Sequence, residues 1–221
     1  GWSKVGIADI DSHGKQLRIV VKRQQNYFSR SWQHPLRGIL TFKKEFNWLR
    51  HCEKNNIGVP MVVYFAERQQ GRNRQAILVT AWLDHYRSLE NLMAEWRHTP
   101  PTRQLRLAVI RSLADVLARF HTCGLEHRCL YPKHVFIDCA SEPPHCALID
   151  LEKTRLSPWR VNRVYRDLPQ LVRYLPEARR TDRVCFIRSY LGQNRLGKRG
   201  KALWHAIDAQ GRHKTNRHHG H

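Results

Sequence analysis

The chain has 221 residues, 41% of them apolar, enough for one sizeable core or for a small lobe beside a larger one, and too apolar for a disordered segment. No apolar run approaches the roughly 20 residues of a spanning helix, the residues given show no secretory signal, and six cysteines without a CxxC pair point to reduced thiols in the cytoplasm. A formal charge of +21 with a pI near 10.5 calls for a polyanion: nucleic acid, an anionic membrane face or a phosphorylated glycolipid, of which nucleic acid lacks its zinc-finger, RRM and basic-heptad signatures here.

In chain order, residues 1–10 read as a strand and Asp11-Ser12-His13-Gly14 supplies turn chemistry before Leu17-Arg18-Ile19-Val20-Val21-Lys22. The pattern is a β-hairpin whose second strand ends in a lysine. Polar and aromatic residues from Gln24 to Leu40, interrupted by Pro35 and Gly38, predict a loop with short helical turns. Thr41 is then the predicted cap of a helix to about Asn55. Phe42, Phe46, Leu49 and Cys52 line one face of it, with Glu45 beside that face. Two further strands follow, over 57–66 and 76–83, joined by a polar turn at 69–75.

Ser88 to Trp96 reads as a capped amphipathic helix ended by Pro100-Pro101. Gln104 to Cys123 is a long core helix closed by Gly124, with Leu105, Val109, Leu113, Val116, Leu117 and Phe120 at helical spacing. After Glu152 the expectation is a basic aromatic loop (Arg155, Trp159, Arg160, Arg163, Tyr165), a helix from about Asp167 to Leu175, and a helical segment from Thr181 to Leu191. The last 25 residues read as a solvated basic tail.

The stretch from Gly124 to Glu152 carries the chemistry. His127-Arg128 follows the long helix and precedes a short strand, Val135-Phe136-Ile137; a second short strand, Ala147 to Ile149, ends in Asp150. Two short strands with polar groups at one end suit phosphoryl transfer, where protein groups position metal and hydroxyl and neutralise developing charge. The protein-kinase pattern H-R-D-L-x-x-x-N followed by a metal-holding Asp is matched, except that Cys129 stands at the loop Asp and His134 at the Asn. Cys123, His127 and Cys129 lack a second CxxC pair for zinc. The predicted fold is α+β and two-lobed, protein-kinase-like. It comprises a small antiparallel-sheet lobe with one helix over 1–83, a mainly helical catalytic lobe over 84–196 and a disordered His-rich tail over 197–221.

Taken together, the pieces resemble the bacterial lipopolysaccharide kinases that phosphorylate heptose or Kdo of the inner core. The resemblance rests on Gly-Trp-Ser at the start, Val-Lys-Arg-Gln at 21–24, His-Pro at 34–35 and Thr-Phe-x-x-Glu-Phe at 41–46. It continues through Leu-Val-Thr at 78–80, His-Arg-x-Leu-Tyr-x-x-His-Val-Phe-Ile at 127–137, Ile-Asp-Leu-Glu-Lys at 149–153 and Arg-Asp-Leu at 166–168. It implies ATP held over the small lobe, with Lys22 on the phosphates, Glu45 orienting Lys22, and Ser3 and the backbone of Ala81 and Leu83 contributing to the nucleotide. Asp150 would hold Mg²⁺, with His134 beside the metal or phosphates, and Arg128, Cys129 and His134 would form the catalytic loop. The implied acceptor is a sugar hydroxyl on an anionic lipopolysaccharide core precursor. The implied place is the cytoplasm, peripheral at the anionic inner face of the inner membrane, as a monomer.

Cys129 departs from this family, whose active members carry Asp there. A thiol with an ordinary pKa near ~8.5 is a weak base, although His127, Arg128 and a metal would favour its thiolate. Glu126 and Asp138 are nearby acids, Asp138 following a strand and pointing away. Two other readings stay open: a pseudokinase serving as a nucleotide-binding or interaction module in envelope or stress response, which Cys129 favours, and a nucleic-acid-binding protein, against which Lys22, Glu45 and Asp150 argue.

Overall fold

In the computed structural model, residues 1–209 are described apart from 13, 32–33, 159, 176–177, 199 and 208. The opening hairpin forms as β1 (Trp2–Ser12) and β2 (Lys15–Gln25), in register from Trp2 opposite Gln25 to Ser12 opposite Lys15. Gly14 sits at φ +75° in the connection and its N–H donates to Asp11 Oδ1 at 2.9 Å, a conformation that costs a residue with a Cβ more than it costs glycine. The predicted loop after Gln24 is instead a second hairpin, β3 (Phe28–Ser31) with β4 (His34–Leu40). Pro35 and Gly38 break a helix but are admissible in a two-stranded edge ribbon, so the same residues that excluded helix did not exclude strand.

Helix α1 (Thr41–Lys54) buries Phe42, Glu45, Leu49 and Cys52. Thr41 is its first residue and not its cap. The side chain of Gln24, only 1% exposed, reaches across from β2 and accepts from the Phe42 N–H at 2.9 Å. A long-range amide thus does what a local hydroxyl ordinarily does at a helix start. β5 (Val62–Gln70) and β6 (Asn73–Ala81) complete a four-stranded antiparallel sheet in the order β1-β2-β6-β5. Residues Gly1–Asp84 together with Asp150–Glu152 form one unit, and His85–Ile149 with Lys153–His221 the other. The return of three residues to the first unit is a feature that a division into contiguous segments does not express.

In the second unit, β7 (Tyr86–Ser88) leads into α2 (Leu89–His98), whose cap is Ser88 Oγ accepting from Asn91 N–H at 3.2 Å. α3 (Arg103–Thr122) is capped in the same way by Thr102 and closed by Gly124 at φ +83°. Its buried face, including Val109, Leu113, Val116, Leu117 and Phe120, is the apolar stripe read from the sequence. Beyond it come β8 (Leu125–Glu126), β9 (Val135–Asp138), β10 (His145–Leu148) and β11 (Arg155–Leu156). β9 pairs with both β10 and β7, and β11 pairs with β8.

α4 (Arg160–Arg173) begins well before the expected Asp167. Val164, Asp167, Leu168 and Leu171 are buried, an i, i+3, i+4, i+7 stripe that carries the helix through the basic residues read as loop. α5 (Arg180–Tyr190) follows. The expected tail from 197 is helical over residues 200–207. Leu203, Trp204 and Ile207 share one face there, and Ile207 is buried, so this part has an apolar side that its basic composition masks. The remainder, 210–221, lies outside the described residues.

No helix among the described residues is long and apolar enough to cross a membrane.

Candidate functional site

The candidate residues fall into a group in each unit. In the first, Lys22 stands on β2 opposite Leu78 of β6, and Glu45 on the buried face of α1. Lys22 Nζ lies 2.6 Å from Glu45 Oε1, with the glutamate side chain 3% exposed and the lysine 18%. The lysine stem also lies near Phe42, its Nζ 5.8 Å from the ring centroid. A buried pair of this kind adds little net stability unless its remaining lone pairs are used, but it fixes the ammonium in one place. Glu45 Oε2 is buried without a hydrogen-bond partner. Burial pushes the Glu45 carboxyl up from its ordinary value, Lys22 pulls it back less strongly, and Asp150 and Glu152 add to the rise. Asp150 and Glu152 thus stand close enough to act on Glu45.

The sign of that shift gives a stability prediction. A carboxyl with a raised folded pKa binds its proton more tightly in the folded state. Its favourable contribution is complete below the ordinary 4.5 and is lost as pH rises through the raised value. Urea titrations should show the wild type losing stability relative to Glu45→Gln as pH is raised from about 4 to about 7. A difference that stays flat or moves in the wild type's favour would mean that Lys22 outweighs burial.

Asp150 has φ +60°, and the neighbouring Leu151 is fully buried. Among the described residues no group of three or more His, Cys, Asp or Glu stands together to hold a metal. Mg²⁺ is ordinarily bound through one or two carboxylates and completed by phosphate oxygens, so Asp150 fits that mode and not a protein cage. Ala81 donates its N–H to Met61 O at 2.9 Å, and Trp82 to Arg18 O at 2.9 Å. Ala81 can therefore offer a ligand only its carbonyl. Ser3 is exposed on β1 opposite Gln24.

In the second unit the loop from His127 to His134 is held largely by backbone groups. His127 Nε2–H donates to Ile149 O at 3.0 Å, and its Nδ1 accepts from the Cys129 N–H at 3.3 Å. Both ring nitrogens are in use and the ring is neutral, since a carbonyl only accepts and an amide N–H only donates. This corrects the expectation that His127 supplies positive charge to the Cys129 thiol. His134 Nδ1–H donates to Cys129 O at 2.8 Å. Cys129 is 8% exposed. Arg128 adopts φ +67°, unusual for an arginine, and its Nε is 3.9 Å from Glu126 Oε1.

The residue that fixes this loop belongs to the Arg166-Asp167-Leu168 pattern. Asp167, fully buried on α4, accepts from the His127 N–H at 2.7 Å, the Arg128 N–H at 2.8 Å and His121 Nε2–H at 3.2 Å. Gln170, three residues along the helix, accepts from the Leu130 N–H at 3.2 Å. His121 in turn accepts the Tyr190 hydroxyl on Nδ1 at 2.7 Å, linking α3 and α5 to the same carboxylate. The two acids weighed as stand-ins for a loop Asp are committed elsewhere. Glu126 is fully buried with Arg155 at 3.2 Å and Arg166 at 3.6 Å. Asp138 accepts from the Ser141 hydroxyl and the Ala140 N–H, bonds that hold its carboxyl below the ordinary value and make it a weaker base.

Known proteins match this arrangement. Protein InaA of Escherichia coli (strain K12) is 24% identical over 177 residues, 80% of each chain. The lipopolysaccharide core heptose(I) kinase WaaP of Escherichia coli is 26% identical over 136 residues, 58% of this chain and 50% of the relative. Its counterpart in Pseudomonas aeruginosa is 26% identical over 100 residues, 45% and 37%. The matches to the two kinases thus span half of their lengths or less. Among solved structures, WaaP in complex with acyl carrier protein superposes with a TM-score of 0.67 at 19% identity, covering 93% of this chain and 83% of that one, which shows a protein-kinase-like fold. The model of the Lipopolysaccharide kinase (Kdo/WaaP) family matches residues 1–190, and the chain belongs to that family.

Proposed function

We propose that this protein is an ATP-dependent kinase that transfers a phosphoryl group to a sugar hydroxyl of the lipopolysaccharide inner core, working at the cytoplasmic face of the inner membrane. The observation that carries the reading is the buried Lys22–Glu45 pair in the same unit as Asp150. Lys22 holds phosphate oxygens and Glu45 keeps its ammonium in place. Ala81 offers its carbonyl to the nucleotide, with Leu83 and Ser3 beside it. Asp150 would hold Mg²⁺, and the family resemblance assigns His134 beside the metal or phosphates. A cation held there would supply positive charge against the charge developing on the transferred group. In the transfer, the bond from the terminal phosphorus to the diphosphate oxygen breaks, a bond to the sugar oxygen forms, and the hydroxyl proton leaves. Cys129 stands where the family's active members carry the residue that aligns that hydroxyl. The charge of +21 supports an anionic acceptor and peripheral contact with an anionic membrane.

The test is transfer of the terminal phosphate of ATP to dephosphorylated core lipopolysaccharide, with and without acyl carrier protein, since WaaP is solved with that partner. Detectable transfer is expected, reduced at least ~10²-fold in Lys22→Ala. Mg-ATP at a hundredfold excess over its Kd should stabilise the wild type by about 2.7 kcal/mol and Asp150→Ala by much less. Equal stabilisation of both, or none, counts against the site. A second reading, a nucleotide-binding pseudokinase, is favoured by Cys129 and is supported if Mg-ATP binds and no phosphate moves.

A further inference from the structure

α3 and α5 run side by side in the same direction: Arg106 Nε lies 3.4 Å from Asp182 Oδ1 near their starts, and His121 lies 2.7 Å from the Tyr190 hydroxyl near their ends. Along the two helices opens a concavity of about 1080 Å³ within the second unit. Arg103, Arg106, Arg111, Arg179, Arg180 and Arg188 line it, with Asp182 the one acid. Arg106 is taken by Asp182, whereas the other five are exposed and have no carboxylate partner among the described residues. Like charges so gathered repel one another, and burying Asp182 beneath them offsets only one.

From this geometry we infer a phosphate-binding groove, taking the phosphate groups of an anionic headgroup or of a small free polyphosphate. The cationic lining is all arginine, and guanidinium forks match phosphate oxygens bidentately where lysine offers a point charge. The concave form favours a compact, multiply charged group over a nucleic-acid duplex, whose backbone is met by a broad basic surface. None of the residues that line the groove is among those assigned to phosphoryl transfer. The groove is thus a docking site apart from the residues assigned to phosphoryl transfer, and the inference does not depend on that assignment.

The experiment is vesicle co-sedimentation with the full chain. Phosphatidylcholine vesicles carry either phosphatidic acid, a phosphomonoester, or phosphatidylglycerol at matched surface charge. The groove variant is R103Q/R111Q/R188Q, and a control, K4Q/K15Q/R72Q, removes the same charge from exposed positions of the first unit. Wild type should prefer phosphatidic acid. The groove variant should lose about a hundredfold in affinity, near the limit for three arginines at an anionic surface, and the control markedly less. Pyrophosphate that binds the wild type as tightly as vesicles, and competes with them, assigns the groove to a free anion. Failure of pyrophosphate to compete assigns it to the headgroup. Equal losses in the two variants, no loss in the groove variant, or displacement by an oligonucleotide at lower phosphate concentration than pyrophosphate would overturn the inference. Thermal melts of both variants establish that each is folded. If the groove variant melts early, R111Q alone, at a fully surface position, is read for the same preference with about a fivefold loss expected.

Discussion

Asp167→Ala is expected to destabilise the protein by roughly 3 kcal/mol or more, from the desolvation cost of orphaned buried donors, and to abolish phosphoryl transfer in whatever fraction stays folded. The carboxylate is fully buried and accepts from two successive backbone amides and a histidine ring. Removing it leaves the His127 and Arg128 N–H groups and His121 Nε2–H without an acceptor, and backbone donors cannot turn to solvent unless the loop moves. Arg128 also sits at φ +67°, a conformation that costs a non-glycine residue about 1–3 kcal/mol and persists only where its surroundings over-determine it. Without the clamp that strain is released by relaxing the loop. Hydrogen exchange gives the decisive readout: the His127 and Arg128 amides should be among the slow ones in the wild type and fast in the variant. An Asp167→Ala protein that keeps both amides protected, at wild-type stability, would show that the loop holds its shape unaided. Asp167→Asn keeps one oxygen but turns an amide donor towards a donor, so an intermediate loss is expected.

What could be read from the sequence divides along physical lines. The hairpins of β1–β2 and β5–β6, the stripe of α1 and α3, the Ser88 cap and the Gly124 stop are local signals, set by residues within a turn or two of one another. The pairing of Lys22 with Glu45 was legible because each is placed by a strong local pattern, a strand end and a helix face. The β3–β4 ribbon was not, since strand pairing is decided by partners and Pro35 or Gly38 speak only against helix. Gln24 as the cap of α1 and Asp167 as the acceptor for loop amides were hidden for a further reason. A polar residue in a predicted loop or at the start of a predicted helix looks solvated until a segment from elsewhere in the chain, as with His127 and Asp167 40 positions apart, covers it. The pattern Arg166-Asp167-Leu168 and the i, i+3 spacing to Gln170 were the available signal, and only the structure shows that they face the loop.

Cys129→Asp is expected to speed phosphoryl transfer by ~10²–10⁴-fold, the usual worth of a positioned general base. The backbone at this position is fixed from both sides, its N–H by His127 Nδ1 and its carbonyl by His134 Nδ1–H, so the change alters the side chain in a main chain already set. His127 is neutral by its hydrogen bonds, and Arg128 has the buried Glu126 carboxylate as a neighbour. Neither Glu126 nor Asp138 replaces the missing base, the first being enclosed by arginines and the second held in its own turn. A carboxylate at a site only 8% exposed is disfavoured by burial, which raises its pKa towards the working range of a base and costs some stability. Cys129→Ala completes the series: transfer unchanged from wild type marks the thiol as inert, and slower transfer marks it as a partial base. The gain in Cys129→Asp should vanish when Lys22→Ala is added. A Cys129→Asp protein that binds Mg-ATP and transfers nothing to any core acceptor would replace the kinase reading with the pseudokinase one.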